Sequence, residues 1–229
     1  MTLSRRQLIV QGGAFGLGMF GPGMFGLGAV SSIAAPCEQG LSFAAFRDDS
    51  AFGHHTVRFT RGGQSLTVDI EIAFDVKLAF IPLYRYRHRN REVWEDGRLI
   101  SLSTETDDNG TPYVVKAEAR NGGLRVEGSS GRLDLPGDIM PTSYWSETIG
   151  RRGVWLDTQK GAVVRSSVTE EPTETIDLAT GRIEAVPYRL EGDISCRLWY
   201  RDGCWVKLRF PASDGSVIDY LLEPVDGSA

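Results

Sequence analysis

Apolar and polar residues alternate with a period of two along most of this chain, and a helical period is almost absent. The clearest stretch is 66–80, in which every even position is apolar and most odd positions are polar. Such alternation is typical of a strand that buries one face and exposes the other. Similar stretches, separated by turns containing Gly, Asn or Asp, predict about ten antiparallel strands over the chain.

Three of the turns contain Asp-Gly, at 96–97, 202–203 and 214–215. We expect each to be a three-residue loop with Gly in the left-handed conformation. Such loops pair Trp94 with Arg98, Tyr200 with Cys204, and Ala212 with Ser216. Because both residues of each pair have even numbers, even-numbered residues should stay on one face of the sheet across the turns. The same register places Trp199 and Trp205 together on the opposite face.

About ten strands that share one apolar face must curl into a barrel or fold over as a sandwich. The long apolar alternations at 66–80 and 186–200 favour curling. We therefore predict an all-β fold made of one strongly curved antiparallel sheet, a half-barrel or barrel, with a β-sandwich as the alternative. No internal repeat or shift in composition divides residues 35–229, so we expect them to form a single domain.

Residues 1–34 have the pattern of an export signal. Arg5 and Arg6 give a positive start, residues 12–30 are apolar and rich in glycine, and small residues precede a cleavage site near Ala34. The arginine pair and the apolar residues after it resemble the twin-arginine export signal. A general secretory signal and an uncleaved anchor are the alternatives.

These features predict that the protein is periplasmic or secreted, in a bacterium, after cleavage. The expected partner of residues 1–34 is the export machinery. So many glycines weaken a helix, by about 1 kcal/mol each relative to Ala, so we expect no stable membrane span in the mature form.

The segment after the signal is acidic. Without Arg5 and Arg6, 23 of the 25 lysines and arginines remain against 30 aspartates and glutamates, a net charge of −7. Phosphate contacts need clustered cations, so we expect no nucleic-acid partner. Of the three cysteines, Cys196 and Cys204 would lie four strand positions apart, about 13 Å. A disulfide needs Cα atoms within about 7 Å, so these two should not pair, and the partner of Cys37 stays open.

No nucleophile elbow and no zinc-spaced cysteine or histidine cluster is present, so we expect no catalytic residues, metal or cofactor. An enzyme is the alternative, metal-dependent or hydrolytic, built around His55, His88 and Glu92 as two histidines and one carboxylate. A third possibility is an interaction module in which exposed Trp199 and Trp205 dock a partner.

Many even-numbered positions are aromatic and would line the inside of the curved sheet. They are Phe74, Phe80, Tyr84, Tyr86, Trp94, Tyr188, Tyr200, Phe210 and Tyr220. These rings either fill a core or leave a partly open cavity for an apolar or amphiphilic ligand, and the sequence leaves both open. In the second case the polar groups at the mouth are the predicted ligand-binding residues: Tyr84, Tyr86, His88, Glu92, Trp94 and Arg98.

Several short sequence segments occur in a characteristic order along the chain. They are Phe52-Gly53-His54-His55, Tyr84-Arg85-Tyr86-Arg87-His88, Glu92-Val93-Trp94-Glu95-Asp96-Gly97-Arg98-Leu99, Thr106-Asp107-Asp108-Asn109-Gly110, Ser143-Tyr144-Trp145, Leu198-Trp199-Tyr200 and Asp214-Gly215-Ser216. Together they resemble an uncharacterised family of exported bacterial proteins, known only as a domain of unknown function, over residues 41–222. The predicted half-barrel is similar in fold to periplasmic lipoprotein carriers. The resulting hypothesis is an exported, non-catalytic protein that binds or carries an apolar or amphiphilic small molecule or lipid in the periplasm.

Overall fold

The structure, a computed structural model, describes Cys37 and residues 40–78, 81–129 and 131–224. The predicted export signal and its cleavage site lie outside these residues. Within the described ranges no helix has the length and apolar character that a membrane crossing requires.

The predicted all-β fold is confirmed, since sixteen strands and one short 3₁₀ helix make up the regular structure of the described chain. The strands are β1 (Leu41–Arg47), β2 (Ser50–Gly62), β3 (Ser65–Leu78), β4 (Ile81–Glu95), β5 (Arg98–Asp108), β6 (Thr111–Arg120), β7 (Gly123–Gly128), β8 (Gly131–Pro136), β9 (Met140–Pro141), β10 (Val154–Leu156), β11 (Val163–Glu170), β12 (Glu174–Leu178), β13 (Gly181–Gly192), β14 (Cys196–Arg201), β15 (Cys204–Pro211) and β16 (Val217–Glu223). The 3₁₀ helix is Glu147–Arg151. The estimate of about ten strands was too low, because β9 is too short to alternate and the predicted strand 186–200 is two strands, β13 and β14.

All sixteen strands belong to one sheet, in the order β8-β7-β6-β5-β4-β3-β2-β1-β16-β15-β14-β13-β11-β10-β9. The remaining strand, β12, also pairs with β13: β11 pairs with one half of β13 and β12 with the other half. The architecture is therefore a single sheet and not a sandwich. The ladder does not close, because β8 and β9 are not paired. The two edges nevertheless meet: only three residues separate β8 from β9, and Ser129 Oγ after β7 donates to the Lys160 carbonyl beyond β10 at 3.0 Å. The sheet therefore curves into a barrel-like shape in which the two edge strands lie near each other without strand pairing.

Two of the three Asp-Gly turns differ from the predicted three-residue loop. Asp96 and Asp202 have φ of +47° and +51°, and the glycines after them also have positive φ, which defines two-residue type I′ turns. These turns pair Glu95 with Arg98 and Arg201 with Cys204, and a bulge a few residues later again places even-numbered residues opposite even-numbered ones. The register beyond the bulge is offset by two positions from the predicted one, since Leu198 pairs with Leu208 and not with Val206. The third turn is as predicted: the Ala212 N–H donates to the Ser216 carbonyl at 2.8 Å, and Gly215 has φ of +86°.

The bulge in β15 separates the two tryptophans that the sequence had placed together. Trp205 lies inside the barrel, with its ring centroid 4.2 Å from that of Phe43. Trp199 and Val206 lie outside, in a small cluster with Ile176 that β12 and β13 cover. Both indoles are buried, at 2% and 0% exposure for Trp199 and Trp205. The predicted exposed tryptophan patch is therefore wrong, as is the prediction that Val206 shares a face with the interior.

On β3, β4, β14 and β16 the even-numbered residues do gather on the inner face, whereas on β1, β2 and β6 the inner residues are odd-numbered, for example Phe43, Val57 and Val115. Leu198, Leu208 and Tyr220 lie in the main core, and Leu198 pairs with Leu208, which pairs with Tyr220. Alternation along each strand thus predicts the face correctly wherever no bulge intervenes.

The segment 140–160, called here the interior segment, crosses the inside of the barrel. The ring of Trp145 lies 5.6 Å from those of Phe59 and Trp94, and Thr104 Oγ1 donates to the Thr158 carbonyl at 2.7 Å. On the opposite wall the Tyr200 hydroxyl donates to the carbonyl of Tyr144 at 2.7 Å. The interior segment therefore fills the end of the barrel where β4 finishes, called here the Trp94 end.

Cys37 and Cys204 form a disulfide with Cα atoms 5.8 Å apart, and Cys196 is a buried free thiol. The prediction that Cys196 and Cys204 do not pair is confirmed. The disulfide fastens the start of the described chain to the Trp94 end of the barrel.

Candidate ligand-binding site

The six predicted ligand-binding residues do not come together at one mouth. Tyr84 and Trp94 are ten residues apart on β4, which corresponds to about 33 Å of strand. Glu92 and Trp94 are buried at the Trp94 end, and Arg98 lies exposed at the start of β5, beyond the turn. The remaining three, Tyr84, Tyr86 and His88, lie toward the opposite end, called here the Tyr84 end. These three are the part of the predicted set that shares one region.

Glu92 organises the Trp94 end. Its carboxylate is fully buried and accepts hydrogen bonds from Asn90 Nδ2 at 2.8 Å and from the indole nitrogens of Trp94 and Trp145 at 2.9 Å each. Burial raises the pKa of Glu92, and the hydrogen bonds it accepts partly offset that effect. Because Trp145 belongs to the interior segment, Glu92 fixes that segment to the wall formed by β4. Its role here is structural.

The proposed metal triad is not assembled. His55 on β2 pairs with Ile72 on β3, which pairs with His88 on β4, so one strand separates the two histidines. His88 Nδ1 is occupied by Thr106 Oγ1 at 2.8 Å, and the Glu92 oxygens are occupied as described. Among the described residues no group of three or more His, Cys, Asp or Glu side chains could hold a metal ion. The sequence hypothesis of a site that joins these three residues is therefore wrong.

His55 is instead enclosed by aromatic rings. Its centroid lies 5.1 Å from that of Trp205, 5.8 Å from that of Tyr220 and 6.0 Å from that of Phe43, all close to edge-on. The side chain is 3% exposed, and neither ring nitrogen has a hydrogen-bond partner. Burial chiefly, and the neighbouring His88 and His54, lower the pKa of His55 to about 3. His55 is therefore neutral, with one free donor and one free acceptor inside the barrel.

A continuous row of aromatic rings leads from His55 to the Tyr84 end. The centroid of Tyr220 lies 5.7 Å from that of Phe74, which lies 5.6 Å from that of Tyr86. Phe52 and Phe210 flank this row, and they are only half-buried, as Tyr86 is. The Tyr84 end is thus less tightly covered than the Trp94 end, where Trp94, Trp145 and Trp205 are nearly inaccessible.

The interior segment supplies a polar wall opposite these rings. The Tyr86 hydroxyl donates to Gln159 Oε1 at 3.1 Å, and Gln159 Nε2 donates to Asp108 at 3.2 Å. Asp108 also accepts from the Tyr84 hydroxyl at 2.9 Å. Asp157 accepts from the Gln159 N–H at 3.0 Å through Oδ1, whereas its buried Oδ2 has no partner.

Gln159 links Asp157 to the aromatic row, because the Gln159 N–H donates to Asp157 and the Gln159 side chain accepts from Tyr86. Burial raises the pKa of Tyr86 most, and the neighbouring tyrosines and the charge of Asp157 raise it further. Burial likewise raises the pKa of Tyr144, and the charge of Asp157 adds to that effect. Burial in turn raises the pKa of Asp157. We define the His55 cluster as His55, Phe74, Tyr86, Asp157 and Tyr220. It combines aromatic faces with buried polar atoms that no protein group satisfies.

Sequence reasoning found the aromatic members of the cluster through their even positions, and it found His55 in another role. It missed Asp157 and its support from Gln159. The interior segment has no periodicity, so nothing in the sequence indicates that it turns inward and is linked through Gln159 to Tyr86 on β4.

A second concave surface lies outside the barrel, on β2 to β6, and encloses about 600 Å³. Cross-strand neighbours of opposite charge line it, with Arg89 between Glu71 and Glu105, and Arg87 paired with Asp75 at 2.6 Å. Charges of both signs therefore alternate across this surface, and no unsatisfied buried group faces it.

The sequence profile of DUF6134, a domain of unknown function, matches residues 43–223. The chain belongs to this family. The DUF6134 chain is also similar to a solved structure, a β-barrel-like protein of domain of unknown function DUF1849 from Brucella abortus, with 13% identity and a TM-score of 0.59. The similarity covers 83% of this chain and 97% of the Brucella chain, and at this identity it shows a shared fold. No curated protein matches the DUF6134 chain significantly.

Proposed function

We propose that this DUF6134 protein is exported and acts without catalysis, binding or carrying an apolar or amphiphilic small molecule in the periplasm. The bound molecule would lie at the His55 cluster and extend toward the Tyr84 end. Tyr84, Tyr86 and His88 of the predicted ligand-binding set remain part of this proposal. Glu92, Trp94 and Arg98 are left out of it, because they lie at the filled end.

The observation that carries the proposal is the unsatisfied chemistry of the interior. A buried polar group without a partner costs about 1–3 kcal/mol, so such groups are rare in native cores. Here both nitrogens of His55 and one oxygen of Asp157 are buried without a partner, next to half-buried aromatic rings. A bound molecule with a polar head and an apolar body would form hydrogen bonds with the unpartnered polar atoms and cover the half-buried aromatic rings.

Two features support export. Residues 1–34 have the charge and apolar pattern of a signal, and the Cys37–Cys204 disulfide suits an oxidising compartment. A double Arg5→Lys, Arg6→Lys variant tests the twin-arginine route. We expect its release by osmotic shock to be lost, whereas undiminished release would contradict that route.

Native mass spectrometry tests the binding role. The protein should be purified without detergent from the cells that make it and compared with a sample stripped by denaturation and refolding. We expect an added mass of a few hundred daltons in the first sample and its absence in the second. A His55→Phe variant, which keeps the ring and removes both nitrogens, should retain less of that mass. Identical masses for the native and stripped samples would contradict the proposal.

A further inference from the structure

The strand β8 is an edge of the sheet, because it pairs with β7 and with no other strand of the described chain. Gly128 and Gly131 are partners with only two residues between them, so their backbone N–H and C=O groups point toward each other. These groups alternate in direction along a strand, so those of Leu133 also bond to β7, whereas those of Arg132 and Asp134 point away from it. Within the described chain no backbone group bonds to the outward-pointing groups of Arg132 and Asp134.

The other edge of the barrel does not cover β8 in the plane of the sheet. Beside the end of β7 that edge passes on the inner side, since a Cβ atom built on Gly161 would lie 3.3 Å from Cγ1 of Val115, whose side chain faces the interior. The side chains of Arg132 and Asp134 are exposed, at 64% and 71%. A further strand can therefore be added beside β8.

The outer face of β7 and β8 carries two ion pairs of opposite direction. Arg125 on β7 donates to Asp134 on β8 at 2.9 Å, whereas Arg132 on β8 donates to Glu127 on β7 at 2.6 Å. The edge therefore presents one positive and one negative side chain, two positions apart and on the same face. An edge with charges of one sign would repel a second copy of itself, and this edge has both signs.

The charges select one register for a second copy of β8. An antiparallel partner must set its own outward-pointing residues opposite Arg132 and Asp134, and registers centred on residue 132, 133 or 134 meet this condition. The first sets Arg132 opposite itself and the third sets Asp134 opposite itself, and like charges directly opposite each other destabilise a strand pair. The register centred on Leu133 sets Arg132 opposite Asp134 in both directions and uses all the outward-pointing backbone groups of the two residues.

We infer that β8 is a dimerisation edge, at which two copies of this chain join through antiparallel β8 strands about a two-fold axis at Leu133. The side chains of Leu133 from the two copies meet at this axis, where Cβ atoms of directly opposite residues lie about 5 Å apart. This inference is independent of the proposed ligand. Charges of opposite sign alternate across the four joined strands, in the order Glu127, Arg132, then Asp134 and Arg125 of the second copy.

The contact is small, and its size sets the expected strength. One added strand pair buries much less than the roughly 1,600 Å² of a standard stable interface, so the dimer should dissociate on dilution. Its detection therefore needs sedimentation equilibrium over a range of protein concentrations, together with a covalent trap.

Reversal of the charges tests the register. Arg132→Asp sets carboxylates opposite each other in a homodimer, and Asp134→Arg sets guanidinium groups opposite each other. We expect each variant alone to associate at least about tenfold more weakly than the wild type. An equimolar mixture of the two should associate again, because every charge at the edge then faces the opposite sign.

Two controls accompany the charge variants. Arg182→Asp breaks an exposed ion pair with Asp177 in the hairpin of β12 and β13, and it should leave association unchanged. The ion pairs that the variants break within one chain are exposed and contribute little to stability, so circular dichroism should show the wild-type fold.

Leu133→Cys tests the position of the axis. The two introduced thiols face each other across it at a distance that a disulfide can bridge, whereas those of Leu135→Cys lie four strand positions apart, about 13 Å. With oxidised glutathione as the oxidant, we expect a covalent dimer of Leu133→Cys and little or none of Leu135→Cys.

Association of each charge variant alone that is as strong as that of the mixture would overturn the inference. Equal cross-linking of the two cysteine variants would overturn it as well. So would a wild type that sediments as a monomer at every concentration together with a Leu133→Cys variant that forms no covalent dimer.

Discussion

Glu92 forms no ion pair among the described residues, yet replacing it by Leu should strongly destabilise the protein. The carboxylate is the hydrogen-bond acceptor for the indole nitrogens of Trp94 and Trp145 and for Asn90. Leu leaves the two indole N–H groups buried and unpaired at about 1–3 kcal/mol each, and the relief from burying a carboxylate offsets part of this. We expect a net loss of about 3 kcal/mol in the free energy of unfolding.

Replacing Glu92 by Gln should be nearly neutral and serves as the matched control. The amide oxygen can keep both indole donors, while its NH₂ group would face the NH₂ group of Asn90. Asn90 can resolve that conflict by rotating its amide, because its Oδ1 has no partner. We expect a change within about 1 kcal/mol at neutral pH, since the hydrogen bonds survive and the buried charge is removed.

In both Glu92 variants the free energy of unfolding should also depend on pH differently from that of the wild type. Burial raises the folded-state pKa of Glu92 above its ordinary value of 4.5, so the folded state holds this proton more tightly than the unfolded state. The stability that Glu92 contributes is therefore present below pH 4.5 and lost as the pH rises through the folded-state pKa. Glu92→Gln should gain stability relative to wild type between pH 4 and pH 8.

Urea unfolding followed by tryptophan fluorescence at both pH values measures these differences. The reasoning would be refuted if Glu92→Leu stayed within 1 kcal/mol of wild type, or if Gln were as harmful as Leu.

Three further predictions concern packing and the cysteines. Gly53→Ala would press a methyl group against the carbonyl of Ala73, and we expect a loss of about 1–3 kcal/mol in unfolding free energy. Reducing the Cys37–Cys204 disulfide, which links residues 167 positions apart, should lower the urea midpoint by the equivalent of about 2–4 kcal/mol. Cys196 is buried and its thiol pKa is raised to about 12 by that burial, so a thiol reagent should label no cysteine in the native protein and one after unfolding.

Each of these has its own control. Gly62→Ala meets nothing closer than 3.6 Å and should change stability by less than about 0.5 kcal/mol, so equal effects at Gly53 and Gly62 would refute the steric argument. Coincident unfolding curves with and without reductant would show that the disulfide stabilises nothing. Rapid labelling of the native protein would show that Cys196 is accessible.

The inner and outer faces of the barrel could be predicted because alternation is a local property of each strand. Leu198, Leu208 and Tyr220 share the interior as their even numbers require. The register at two turns could not be predicted in the same way. Asp-Gly suits both a two-residue turn with a later bulge and a three-residue loop, and the packing of Trp205 against Phe43 selects the first.

The candidate site could be predicted only for the residues that lie on strands. Tyr86 and Tyr220 follow from alternation, whereas Asp157 belongs to the interior segment, whose path depends on long-range contacts. The sequence places Glu92 on the inner face of β4, which suggests a ligand-binding mouth. It does not show that the indole of Trp145, 53 residues away, covers the carboxylate and donates to it.

A crystal structure of the protein purified without detergent would test the central claim, that the interior beside His55 receives a ligand, most directly. We predict continuous electron density other than ordered water within hydrogen-bonding distance of a His55 ring nitrogen, extending past Tyr220 toward the Tyr84 end. A space closed by protein side chains, with both ring nitrogens bonded to protein groups, would contradict it.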